Sequence, residues 1–212
     1  GTGRSAPLGC GDEPPGRPMS EQLDPQRQLQ RARDCLRQLQ ALPHGDLRHY
    51  GTTPAMAALD AVRQTLGAER INLVGVSYGT RAALEYLRLY PQQVRRMVLD
   101  GVAPPDMALP EASAPDAQAA FDALLLACAQ DAVCRSRHPT LRQTWHELLA
   151  SLPRTVNVAH PLTGRDETLR LTRDRVLGMV RSALYAPTTA SALPAALDAA
   201  AMGRFGPLLG LA

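Results

Sequence analysis

The stretch from Arg70 to Asp100 constrains the fold more than any other part of the chain. Ile71-Asn72-Leu73-Val74 is apolar and β-prone, and Thr80-Arg81-Ala82-Ala83-Leu84-Glu85-Tyr86-Leu87 is a helix former. Only Gly75-Val76-Ser77-Tyr78-Gly79 lies between them, so the strand must turn almost directly into the helix. The helix reaches Tyr90 and stops at Pro91, and Val94 to Asp100 reads as a second strand around Met97-Val98-Leu99. A strand, helix and strand at this spacing form a βαβ unit, which implies parallel strands and a right-handed crossover. The fold class expected is α/β: a partial core of parallel strands with flanking helices, followed by a mostly helical region.

A serine at such a corner has a chemical meaning. The turn is sharp and strained, and it lifts the hydroxyl of Ser77 above the sheet edge. Strand and helix pass close together there, so glycine is expected at both Gly75 and Gly79 to avoid collision. The backbone N–H of Tyr78 is placed to meet the oxyanion of a tetrahedral intermediate. The arrangement points to attack by a serine on an acyl carbon. Five residues match by chance in many proteins; the strand before and the helix after give the motif its weight.

The rest of the chain reads as helices and one hairpin. Gly1 to Pro18 is a Gly- and Pro-rich loop; its Gly1-Thr2-Gly3 lacks the third glycine and the preceding strand of a dinucleotide fingerprint. Asp24 caps a helix from Pro25 to Leu42, with Leu29, Leu36 and Leu39 near one face. Thr53 is the expected cap of the next helix, with Pro54 at its first position and Gly67 past its end. Met56, Leu59, Val62 and Leu66 recur there at core-like helical spacing. Gly101 to Pro115 reads as a linker. Helices follow over Ala117–Gln130 and Pro139–Leu152, then strands Arg154–Ala159 and Thr168–Thr172 as a hairpin. Thr172 caps a helix to Tyr185, and a last helix runs from about Thr188 to Met202, with Pro194 as a kink or new start. The division expected is a core over 1–109 and a mostly helical lid over 110–212. With two strands, the sheet is expected to keep an open edge and an incompletely covered apolar face.

Charge is near balance at +3, which gives no reason to expect nucleic acid, and no apolar run approaches the length of a membrane span. All 23 basic residues are arginine, spread along the chain, and aromatic content is 4%, too little for a carbohydrate- or base-stacking surface. The four cysteines fall as Cys10 with Cys35 and Cys128 with Cys134, neither in C-x-x-C spacing. Two disulfides in an exported protein, or four buried free thiols in a cytoplasmic one, both satisfy that pattern. No His, Cys and Asp cluster has metal-ligand spacing, and no cofactor is expected.

These residues resemble a family. Tyr50-Gly51-Thr52-Thr53, Leu59-Asp60-Ala61-Val62-Arg63, the run Ile71 to Arg81, Ala83 to Arg88 and Val98-Leu99-Asp100-Gly101-Val102-Ala103-Pro104-Pro105 are similar to the secreted tripeptidyl-aminopeptidase and proline-iminopeptidase-like branch of the α/β-hydrolases. Gly1 to Ser5 resembles the end of that branch's Asp-x-Arg-Gly-x-Gly-x-Ser loop; Cys128 to Pro139 and His160 to Gly164 resemble its lid. The resemblance implies that Ser77 is the nucleophile of a serine exopeptidase, exported, acting on a peptide or small acyl substrate. It implies a lid from about residue 110, inserted after the sixth strand. It also implies a central fragment: the family's His-Gly-Gly-Pro-type oxyanion loop and its triad Asp and His are expected outside the chain. The oligomeric state is left open.

A serine alcohol needs an adjacent base to act as a nucleophile. His44 and His49 precede Ser77; His138, His146 and His160 lie in the lid, and none follows a sheet strand. His160 is the least implausible base, by position only. Asp100 ends the strand after the corner and is the candidate acid, against a structural role at a strand end. Glu85 reads as solvated or salt-bridged. Glu111, Asp116 and Asp122 are lid carboxylates able to pair with a substrate amine. An esterase or lipase on the same fold, and a catalytically degenerate binding protein, stand as the alternative classes; an epoxide hydrolase would carry Asp in place of Ser77.

Overall fold

β1 (Ile71–Val76) and β2 (Val94–Asp100) pair in parallel in the computed structural model, with α4 (Tyr78–Leu89) as the crossover between them. The structure describes residues 6, 8–11, 14 and 16–211; the Gly1–Ser5 segment read above lies outside them. Leu73, Gly75, Met97 and Leu99 alternate onto the half-buried side of the pair, and α4 packs on both strands. Val74, Val76 and Val98 project from the other face and are 74%, 59% and 58% exposed. The expected open edge and uncovered apolar face are therefore features of this two-stranded sheet.

Crowding at the end of β1 fixes one glycine. A Cβ on Gly75 would lie 2.4 Å from the carbonyl oxygen of Gly79 and 2.9 Å from the nitrogen of Thr80. Both are backbone atoms and cannot step aside. At Gly79 a Cβ would meet nothing within 4 Å. The steric requirement expected of both glycines thus falls on Gly75 alone, because the first turn of α4 crosses over Gly75 while Gly79 faces away.

The chain divides into two compact units, residues 1–10 with 35–112 and residues 11–34 with 113–212, the division falling within α2 (Pro25–Gln40) and α5 (Leu109–Gln130). In the first unit α3 (Thr52–Thr65) packs on α4. Its expected apolar stripe is only partly buried: Met56 and Leu59 are half-buried, Val62 and Leu66 are exposed, and the one fully buried residue is Asp60. The Asp60 carboxylate accepts hydrogen bonds from Arg63 Nε at 2.7 Å, Gln64 Nε2 at 2.7 Å and the fully buried Tyr86 hydroxyl at 2.8 Å. A buried charge is tolerable when paired and hydrogen-bonded in this way. Arg63 also donates to the carbonyl of Ala68, tying the network to the approach of β1. Gly51, not Thr53, stands at the N-cap of α3, and the Thr53 hydroxyl instead donates to Glu85 Oε1 at 2.6 Å. Gly67, with φ 66°, follows the end of α3 as expected. Asp24 caps α2 through the N–H of Gln26, but α2 buries none of its residues, and Leu29 and Leu36 are exposed. Cys10 and Cys35 are joined as a disulfide.

The second unit holds the continuous apolar core. It contains α1 (Met19–Gln22), α6 (Ala132–Arg137), α7 (Leu141–Ala150), the antiparallel hairpin of β3 (Arg154–Ala159) and β4 (Asp166–Leu171), α8 (Arg173–Ala183), α9 (Pro187–Ala201) and α10 (Gly206–Gly210). Phe121 and Trp145 meet at 4.9 Å between ring centroids, and Leu148, Leu171, Val176, Leu197 and Leu208 are almost fully buried around them. Thr172 caps α8 through the N–H of Arg175. Cys128 and Cys134 are joined, closing the turn that Asp131 caps. One element differs from expectation: α5 begins at Leu109, within the stretch read as a linker, and continues through Pro115, its alanine-rich sequence outweighing one missing N–H. α9 runs through Pro194 as one helix, and α10 packs against the core through Leu208 and Leu209.

Two predictions follow from this packing. Gly75→Ala is expected to cost about 3 kcal/mol or more in urea denaturation, since backbone must move, while Gly79→Ala stays within about 1 kcal/mol. Equal costs would show that the crossing is looser than drawn. The second concerns acid. The hydrogen bond from Arg63, then those from Tyr86 and Gln64, lower the Asp60 carboxyl from 3.8 to about 2, against the opposing effect of burial. The Arg88 and Thr53 hydrogen bonds lower Glu85 from 4.5 to about 2 in the same sense. A depressed carboxylate stabilises the fold above its unfolded pKa, and that contribution is lost as pH falls through its folded value. The urea midpoint should therefore fall between about pH 4.5 and about pH 2. Asp60→Asn should flatten part of that fall, and an unchanged slope would remove Asp60 from the account.

Candidate active site

Ser77 occupies the corner between β1 and α4 with φ 53° and ψ −119°. It is the one non-glycine residue with positive φ among the described residues. Such a conformation is held only where the surroundings over-determine it. Here the Ser77 N–H donates to the carbonyl of Asp100 at 2.9 Å. The Ser77 carbonyl accepts from the N–H of Thr80 at 2.9 Å and from the Thr80 hydroxyl at 2.7 Å. Both backbone groups of the serine are thus committed, and its side chain makes no hydrogen bond among the described residues.

Thr80 is the residue that sequence reasoning passed over. It is fully buried, and while its hydroxyl donates to Ser77 it accepts from the N–H of Ala103 at 2.9 Å. One side chain therefore ties the corner to the loop after β2. Arg81 adds a second tie, donating to the carbonyls of Pro105 at 2.6 Å and Met107 at 3.3 Å. A polar residue three positions after the serine, facing inward on the first helical turn, was the available signal.

Tyr78 opens α4, where helix N–H groups have no intrahelical acceptor. Its N–H makes no backbone hydrogen bond among the described residues. The aligned peptide dipoles of α4 favour negative charge at this end. The Tyr78 side chain is 60% exposed, its hydroxyl 2.7 Å from the Thr52 hydroxyl. The corner thus presents a serine hydroxyl beside an unbonded N–H at a helix N-terminus.

The candidate partners are placed as follows. Asp100 lies opposite Val76 in the sheet register and supports Ser77 through its carbonyl; its exposed carboxylate makes no hydrogen bond among the described residues. Glu85 is salt-bridged to Arg88 at 2.7 Å. His49 faces Asp46 at 3.4 Å, and the carbonyl of His44 accepts from Tyr50. In the second unit His146 is exposed on α7, and His138 Nδ1 is 2.6 Å from Asp198 Oδ2. His160 is buried, and both of its nitrogens are engaged: Nδ1 accepts from the N–H groups of Leu162 and Thr163, and Nε2 donates to the carbonyl of Arg17. A histidine bonded in this way shapes its own turn and has no lone pair left for a serine proton. Asp122 is held by Gln118 and Arg142, whose hydrogen bonds lower its pKa, while Glu111 and Asp116 are exposed on α5. No described helix is long and apolar enough to cross a membrane.

Residues 8–195 match the alpha/beta hydrolase fold family. The chain is 32% identical over 173 residues to serine protease Hip1 of Mycobacterium tuberculosis, covering 78% of this chain and 33% of that protein. It is 40% identical over 118 residues to the tripeptidyl aminopeptidase of Streptomyces coelicolor, covering 50% of this chain and 21% of that protein. A shorter match, 32% over 62 residues, covers 29% of this chain and 20% of the proline iminopeptidase of Xylella fastidiosa. The chain spans about a third or less of the length of these relatives. On the breadth of the family match, with a parallel strand pair and its crossover helix in place, the chain belongs to the alpha/beta hydrolase fold family.

Proposed function

We propose that this chain carries the nucleophile of an exported serine peptidase that releases short peptides or amino acids from the N-termini of its substrates. The observation that carries the reading is the conformation of Ser77: φ 53° at a strand-to-helix corner, with both backbone groups bonded and the hydroxyl unbonded. In this reading Ser77 Oγ attacks the scissile carbonyl, and the Tyr78 N–H supplies one oxyanion donor as negative charge builds on the oxygen. The names of the relatives, a serine protease and two aminopeptidase-type enzymes, support a peptide substrate. The two disulfides support export, since such bonds persist in oxidising compartments.

Attack needs a base, and each histidine in the first unit is a loop or short-helix residue away from the corner in sequence. Asp100 stands beside the corner in the sheet register as the candidate acid within the chain, while the family resemblance puts the triad acid outside it. The 212-residue chain by itself is therefore expected to turn over peptidyl-naphthylamides no faster than its own Ser77→Ala variant. Turnover that is lost in Ser77→Ala would show that the chain holds a working base. The product of the whole reading frame is expected to form a fluorophosphonate adduct on the peptide containing Ser77, and to cleave tripeptidyl amides as well as the matched esters. An adduct elsewhere would move the nucleophile; ester cleavage alone would make it an esterase; no adduct would favour a binding protein.

Thr80 gives a separate test of how the corner is held. Thr80→Val leaves the Ala103 N–H without its acceptor and is expected to cost about 1–3 kcal/mol. It should also slow fluorophosphonate labelling of the whole protein, and Thr80→Ser should restore both. A Val variant that labels at the wild-type rate would confine Thr80 to a stabilising role.

A further inference from the structure

His160 is 3% exposed and has no part in the chemistry proposed for Ser77. It opens the turn from β3 to β4, and its two ring nitrogens do opposite jobs. Nδ1 accepts the N–H of Leu162 at 3.1 Å and that of Thr163 at 3.2 Å. Nε2 lies 3.1 Å from the carbonyl oxygen of Arg17, in the segment before α1. A carbonyl only accepts, so Nε2 carries the hydrogen and Nδ1 the lone pair. The ring is therefore neutral in this arrangement, and the tip of the turn depends on its being so.

A proton on Nδ1 would point at two N–H donors. Both bonds to the tip would be lost, and a charge would be buried without an acceptor. The surrounding elements give the ring no ion pair among the described residues. Glu167 on β4 accepts from the N–H of Met19 at 2.7 Å, and Glu21 on α1 pairs with Arg27. Arg175 on α8 donates to the carbonyl of Leu23. Arg173 and Asp174 on α8 are exposed, as are Arg165 and Asp166 at the end of the turn, and Arg17 brings a positive charge at the residue whose carbonyl the ring holds.

The bonds that close the turn do not involve the ring. The His160 N–H donates to the carbonyl of Arg165 and the Gly164 N–H to the carbonyl of His160, both at 2.8 Å. Protonation thus leaves the hairpin and the Arg17 contact in place and frees residues 161–163. Leu162 is 76% exposed, so apolar packing does little to hold that tip when the ring lets go. Pro161 and Leu162 form part of the wall of a groove shared with α1 and α8, and their release would widen it.

We infer that His160 is a proton-sensitive latch on the tip of the β3–β4 turn, closed by the neutral ring and released when Nδ1 takes a proton. The released tip binds one proton more than the latched one, so falling pH favours release. The latch lies within the second unit and does not rest on the reading of Ser77.

NMR of the full chain, isotope-labelled in its histidine rings and backbone amides, tests the latch between about pH 8 and about pH 4.5. At the upper end the His160 ring should show the Nε2–H tautomer. As the ring titrates, the Leu162 and Thr163 amides should shift with the same midpoint. Their hydrogen exchange, relative to the unfolded-chain rate at each pH, should quicken about tenfold. The Gly164 amide should hold. His160→Asn offers an acceptor that takes no proton, so the tip should stay protected across the range; the titration of the unaltered chain decides the matter if that variant does not fold. The Nδ1–H tautomer, a ring that stays neutral down to about pH 4.5, tip amides that ignore its titration, or the same pH response in a folded His160→Asn protein would each overturn the proposal.

Discussion

The close approach of α4 to the end of β1 governs the first unit. With the Gly79 carbonyl oxygen 2.4 Å from where a Gly75 side chain would begin, the chain has no room for a wider turn. The single residue left to absorb the change of direction between Val76 and Tyr78 is Ser77, and it does so at positive φ. That conformation is stored strain, and strain of this kind survives only where neighbours hold it. Asp100 holds it from β2 and Thr80 from α4, so the parallel pairing, the crossover helix and the serine conformation are one interlocked arrangement.

The two units are stabilised by different means. The second has a continuous apolar core, and its secondary structure follows from burying that core. The first buries few apolar side chains, chiefly Ala83 and Tyr86, and leaves three valines of its sheet exposed. Its α3–α4 contact is centred on a charge instead. Asp60 is satisfied by three donors, one of them the hydroxyl of a fully buried tyrosine, and its Arg63 partner reaches on to the backbone before β1. A polar centre of this type fixes geometry more than it adds stability, because a carboxylate with three donors accepts only one arrangement of its neighbours.

Legibility from sequence follows the same division. The strands, the crossover helix and the corner were readable because each leaves a local mark: alternation, a stop at proline, a serine between two glycines. The two disulfides were one of two readings that the cysteine spacing allowed. β2 and β3 begin and end where the residue pattern places them. Helix α3 was misread at its core because spacing was taken as burial. Val62 and Leu66 recur correctly on a helix, yet the face turned to α4 is the one carrying Asp60. An aspartate at helical register looks solvent-facing until Tyr86, 26 residues later, is known to be its donor. Thr80 was missed for a similar reason: its two partners lie at Ser77 and Ala103, and only the fold brings the second one near. The cap role given to Thr53 failed because Glu85 competes for its hydroxyl from another helix.

The histidines separate what the corner supplies from what acyl transfer requires. A general base must present a free nitrogen lone pair to the serine proton. His160, the least implausible base by sequence position, accepts two backbone N–H groups at one nitrogen and donates from the other, so its ring is consumed in building its own turn. His138 is engaged at Nδ1 with Asp198 of α9. What the first unit contributes is of another kind: a serine pinned in a high-energy conformation and a helix N-terminus with an unbonded N–H beside it. Preorganised donors aimed at a developing charge account for a large share of rate acceleration in acyl transfer, and they are costly to assemble because the backbone itself must be held. The fold invests close backbone packing at Gly75 and a fully buried hydroxyl at Thr80 in that electrostatic part of the site. Proton transfer is the separable part, since a base needs only to reach the serine and can be carried on any element that does so.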